Sequence, residues 1–147
     1  MKPRMDISEL VPDVYGAIGA LNMAVKKSGI DHRYLHLVRL RASQMNGCAY
    51  CVDLHVKEAL AHGLAPQMLH LVSTWQESQF FDERDRAVLQ WTESITFAAQ
   101  TGIPDVDYQV MLAVFSQKEV AQLTVAISMI NMLNRLGVGS RMQHPVQ

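Results

Sequence analysis

Two cysteines, Cys48 and Cys51, stand three residues apart, and His55 follows four residues after the second. The chain holds no other cysteine. Three chemistries suit this group: a structural cross-link, a metal site, or two thiols that react. On a helix opening at or next to Cys48, the three residues take positions i, i+3 and i+7 and share one face. Cys51 and His55 are then neighbours one turn apart. Cys48 falls at the helix start, where unpaired N–H groups and the helix dipole favour an anion. Both surroundings lower a thiol pKa, and the thiolate is the reactive form. The two sulfurs are also close enough to form a disulfide within the first turn.

Zinc is the competing reading, because Cys48, Cys51 and His55 are three good ligands. A structural zinc site takes four, and the remaining candidates, such as His36 and His62, are distant in sequence. Haem attachment requires histidine directly after the second cysteine, where Val52 stands. Tyr50 and Asp53 point off the shared face, and Asp53 reads as a solvated first-turn acid. Ser43 and Gln44 sit just before the motif and could contact it or cap a helix.

The elements that must position these residues read as helical nearly throughout. Asp31 is a candidate N-cap for "HRYLHLVRLRASQM", with Leu35, Val38 and Ala42 at helical spacing. Asn46-Gly47 favours a turn and ends that helix. The cysteine helix then runs to about His62, with Gly63 where a left-handed cap belongs. Pro66 opens a short helix over "PQMLHLVSTW". Asp82 caps "ERDRAVLQWTESITFAAQ", Gly102 and Pro104 end it, and Asp105 starts the next. "SQKE", Ser116 to Glu119, reads as a capping box opening a helix to about Arg135, after which Gly137 and Gly139 release a polar tail. The expectation is an all-α bundle of about seven helices in one domain spanning residues 1–147. Trp75, Trp91, Phe80, Phe81 and Phe97 are expected in the core or in a pocket wall. Met129 and Met132 suit core filling or subunit contacts. Asn131, Asn134 and Arg135 interrupt the apolar last helix, so they bridge subunits or line the site, unless Asn134 and Arg135 merely cap the helix end.

The bulk composition excludes several partners. Thirteen basic and fourteen acidic residues give a net charge of -1 without a basic block, which argues against nucleic acid. No apolar run approaches the roughly 20 residues of a membrane span. "MKPRMDISELVPDVYG" lacks the apolar stretch of a secretory leader, so the expected location is the cytoplasm. A merely structural disulfide would not persist in that reducing compartment.

The segment "LVRLRASQMNGCAYCVDLHVKEALAHG" resembles the alkylhydroperoxidase D-like branch of the carboxymuconolactone decarboxylase family, and "FDERDRAVLQWTESIT" and "INMLNRLGVGSRMQHP" resemble its later helices. The resemblance implies an all-helical fold, homo-oligomers such as trimers or hexamers, and a thiol-dependent hydroperoxide reductase. Cys48 and Cys51 match the family's redox pair and His55 the histidine of its proton relay. No metal or organic cofactor is implied beyond the redox-active Cys48–Cys51 disulfide, which an external dithiol protein, thioredoxin-like or lipoyl-bearing, would recycle. Where the family commonly has a glutamate, twelve residues before the first cysteine, this chain has His36. A histidine there can pass protons but cannot hold an imidazolium by charge. Of the two thiols, Cys51 has the nearer base, which leaves Cys48 as the resolving partner facing the reductant. The alternatives are a disulfide reductase or dithiol carrier, and a zinc-binding protein using Cys48, Cys51 and His55. Ring-decarboxylating members of the wider family generally lack such a cysteine pair.

Overall fold

The structure, a computed structural model, describes residues 2–146. These form helices α1 (Ile7–Leu10), α2 (Pro12–Lys26), α3 (His32–Met45), α4 (Ala49–Ala61), α5 (Pro66–Leu71), α6 (Glu83–Thr96), α7 (Ala98–Thr101), α8 (Asp105–Val114) and α9 (Gln117–Ser140), with a 3-10 turn at Val72–Thr74. No strand occurs among the described residues. The all-α expectation holds, and the count exceeds seven because α1 and α7 are separate four-residue pieces.

Helix α3 is the centre, packed against α4, α6 and α9. Its apolar residues Leu35, Leu37, Val38, Leu40 and Ala42 are all buried, so it presents core to more than one neighbour. From α9, Val120, Leu123, Ile127 and Ile130 recur at helical spacing and fill the same core. Asp31 caps α3 as expected, accepting from the Arg33 N–H at 2.8 Å. Asp82 and Asp85 close a capping box at α6, and Ser116 and Glu119 close the one expected at α9. Asp85, fully buried, also accepts from Arg33 Nε at 2.8 Å and so ties α6 to α3.

Three boundaries differ from the sequence reading. Helix α5 ends at Leu71 and tightens into the 3-10 turn, and α6 breaks at Phe97 rather than running to Gln100. Helix α9 continues through Gly137 and Gly139 to Ser140. Neither glycine has a positive φ, and the left-handed residue that stops the helix is Arg141, at φ 57°. Trp75, Trp91 and Phe81 are buried as expected, whereas Phe80 and Phe97 lie at the surface. Met129 is buried in the core region.

Candidate functional site

The Asn46-Gly47 turn folds α4 back against α3, with Gly47 at φ 66°. Buried polar residues on α3, His36, Arg39 and Ser43, fall at i, i+3 and i+7. Facing them on α4 are Cys51, His55 and Glu58, with His62 at the helix end. The two stripes meet in antiparallel order. His36 meets His62 far from the turn, Arg39 approaches Glu58 midway, and Ser43 lies beside the turn that carries the cysteines. A polar seam thus runs through an otherwise apolar contact between two helices.

At the turn end, Cys48 and Cys51 are joined as a disulfide. Cys48 is the N-cap of α4, its sulfur 3.3 Å from the Cys51 N–H. The Cys48 N–H donates to the Ser43 carbonyl at 3.0 Å. Asn46 donates to the side-chain oxygens of Asn131 and Asn134, both at 3.0 Å, and Asn134 donates to Ser43 Oγ at 3.0 Å. Arg135 in turn donates to Asn131 Oδ1 at 3.0 Å. These polar residues of α9 therefore hold the turn that presents the cysteines. The end-capping role offered for Asn134 and Arg135 is corrected, because α9 runs another turn beyond them. Gly137 packs directly on the disulfide. A Cβ there would sit 3.0 Å from Cys48 Sγ and 3.5 Å from Cys51 Sγ.

One turn along α4, His55 is buried and its Nδ1 lies 3.0 Å from Glu58 Oε2. A carboxylate accepts from the ring N–H, which leaves Nε2 as the free base. Glu58 also meets Lys26 Nζ at 3.5 Å and Arg39 Nη1 at 4.0 Å. Its pKa is drawn down to about 2, chiefly by the His55 hydrogen bond, with the Lys26 and Arg39 charges adding to it. Glu58 was not singled out from the sequence, although its i+3 spacing from His55 was the available signal.

His36, 2% exposed, is placed elsewhere than beside the thiols. Its Nε2 lies 2.7 Å from His62 Nδ1, and its Nδ1 has no hydrogen-bond partner. Burial above all, then the neighbouring His62 and Arg39, push its pKa down to about 4, so it is neutral at pH 7. The structure therefore groups Cys51, His55 and Glu58, with Cys48 bonded to Cys51, and groups His36 with His62. The two sulfurs are bonded to each other, and His55 Nδ1 meets Glu58.

Cys51, His55, Glu58, Arg39 and Tyr50 line a cavity of about 180 Å³. A water occupies about 30 Å³ of liquid and drug-sized ligands need at least ~300 Å³, so the space suits a small molecule. Cys48 does not line it. That residue borders shallow surface depressions with Gly47 and Ala49. Both cysteines are buried, Cys48 at 2% and Cys51 at 5% exposure, so Cys48 is not the more exposed of the two. What separates them is the space each one faces. No helix among the described residues is long and apolar enough to cross a membrane.

Comparison with known proteins adds a family match and three individual likenesses. The model of the carboxymuconolactone decarboxylase family matches residues 12–94. A crystal structure of a protein of unknown function from Agrobacterium tumefaciens, put forward as an antioxidant defence protein AhpD, is 45% identical. It superposes with a TM-score of 0.98 over 99% of this chain and 100% of that one. The uncharacterized protein YdfG of Bacillus subtilis is 28% identical over 138 residues, 94% of either chain. An uncharacterized peroxidase-related protein from Ralstonia eutropha, solved as an alkylhydroperoxidase AhpD core, is 18% identical with a TM-score of 0.82. It matches over 94% of this chain and 74% of that one, a likeness of fold alone.

Proposed function

Because this chain belongs to the carboxymuconolactone decarboxylase family, in its alkylhydroperoxidase D-like branch, we propose that it is a cysteine-dependent hydroperoxide reductase. The observation that carries this reading is that Cys51, His55 and Glu58 line one small cavity while Cys48 is bonded to Cys51 from outside it.

In the reduced protein, His55 Nε2 takes the Cys51 thiol proton, and Glu58 holds the resulting imidazolium through Nδ1. The Cys51 thiolate attacks the terminal peroxide oxygen. The O–O bond breaks, the sulfur is oxidised to a sulfenic acid, and the alkoxide leaves as alcohol with the proton from His55. The Cys48 thiol then attacks the Cys51 sulfur, forming the disulfide and releasing water. The sum is ROOH plus two thiols giving ROH, water and one disulfide. A dithiol protein, thioredoxin-like or lipoyl-bearing, returns the two electrons by attacking the sulfur of Cys48 from the surface depressions beside Gly47. The cavity volume favours hydrogen peroxide or a short-chain hydroperoxide. Copies of the chain assemble as trimers or hexamers, and the work belongs to a reducing compartment such as the cytoplasm.

Stopped-flow oxidation of the reduced protein tests this. The wild type should lose two thiols per chain. Cys48→Ser should accumulate a sulfenic acid at Cys51, whereas Cys51→Ser should react no faster than a free thiol. If the wild type itself oxidises at the rate of free cysteine, while a dithiol protein still reduces its disulfide rapidly, the chain is a dithiol carrier instead.

A further inference from the structure

His32, His36 and His62 meet at the end of the α3–α4 seam remote from the cysteines. His36 precedes Asn46 by ten residues, about 15 Å along the helix. His32 and His36 are four apart on α3 and so share one face. The hairpin brings His62, the C-cap of α4, over both. His36 Nε2 and His62 Nδ1 are 2.7 Å apart, and the His32 and His62 ring centroids are 5.1 Å apart. One ring nitrogen from each of the three lies within 4.8 Å of the others. Two imidazole nitrogens facing each other must share either a single proton or an ion.

We propose that His32, His36 and His62 form a binding site for a divalent transition-metal ion of the zinc type. Three imidazoles suit zinc, copper, nickel and cobalt, whereas magnesium and calcium require oxygen ligands. A helical i, i+4 pair with a third ligand from a separate element leaves the fourth position of a tetrahedral ion to water. Zn–N bonds of about 2.0–2.1 Å place neighbouring nitrogens roughly 3.3 Å apart. His62 therefore has to retreat by about half an ångström, and the site is built for that. His36 is buried and fixed, while His32 and His62 are exposed and free to adjust. The same exposure makes the ion exchangeable, and it joins the start of α3 to the end of α4. The site shares no ligand with the thiol chemistry proposed above and does not depend on it.

The test uses untagged, oxidised protein, in which the closed disulfide keeps both sulfurs from binding. Cobalt(II) is titrated by visible absorption and zinc(II) by competition with a chromophoric chelator. One ion per chain is expected, with tetrahedral cobalt bands free of sulfur charge transfer. Removing a ligand should cost at least as much as removing its outer-shell support, so His32→Ala and His62→Ala should each weaken binding roughly 100-fold. Both residues are exposed, so their loss leaves the core intact, and His70→Ala, at another exposed histidine, should bind as the wild type does. Affinity unchanged in His32→Ala and His62→Ala would overturn the site. So would binding that appears only after the disulfide is reduced, which would move the ion to Cys48 and Cys51.

Discussion

Glu58 changes how the histidine at position 36 is understood. His36 stands where relatives commonly carry the relay carboxylate, yet a carboxylate reaches His55 from within α4, three residues on. On the proposed mechanism, Glu58→Gln keeps a hydrogen-bond acceptor but loses the charge that holds the imidazolium. Thiol oxidation by peroxide should then slow by about 10²-fold, at the lower end of what general acid–base groups contribute. His36→Glu should bring no acceleration, because His55 already has its partner. Single-turnover stopped-flow on both variants checks this, and a faster His36→Glu would restore position 36 to the relay. Glu58 also links stability to pH. Its folded pKa is drawn from the ordinary glutamate value of 4.5 down to about 2, so the carboxylate's contribution is complete above about pH 4.5 and is lost as pH falls through about 2. Urea unfolding at pH 6 and pH 3 should show a smaller acid-induced loss for Glu58→Gln than for the wild type.

Among the helices, α9 does more than fill the core. It supplies Asn131 and Asn134 to the turn before Cys48 and presses Gly137 onto the disulfide. A glycine inside a helix ordinarily costs about 0.8–1.0 kcal/mol relative to alanine. Here the missing Cβ is what lets α9 approach the sulfurs. Gly137→Ala should therefore lower the melting temperature of the oxidised protein, in which the closed ring keeps Cys48 Sγ from moving aside. The reduced protein should tolerate the change better, since a free thiol can rotate away. A higher melting temperature in both redox states would mean that helix propensity outweighs the contact.

For the molecule as a whole, α2 is the conspicuous element. Of its fifteen residues only Val25 is buried, while Val14, Leu21 and Met23 are exposed. A helix holding so little of its apolar surface against its own chain is suited to contact with a second copy, as the proposed assembly requires. Light scattering on the wild type should give a trimer or hexamer, and Leu21→Glu should shift it towards the monomer. A monomeric wild type would remove α2 from any interface.

Much of this was legible in the residues alone. The caps at Asp31, Asp82 and Ser116, the Asn46-Gly47 turn and the left-handed Gly63 are local signals, because their hydrogen bonds and φ angles involve residues only a few positions apart. The helical run after Cys48 set Cys51 and His55 one turn apart for the same reason, whereas Cys48, the extended N-cap, borders a different space. Gly137 and Gly139 misled, since glycine signals a helix end only where nothing else needs its missing side chain. The partners of His36, the support of the cysteine turn by Asn131 and Asn134, and the gathering of His32 with His62 depend on how α3, α4 and α9 pack. Those contacts join residues 26 to 91 positions apart or depend on helix orientation, and no local pattern in the sequence encodes them. Sequence determined which groups could react, and tertiary packing decided which of them meet.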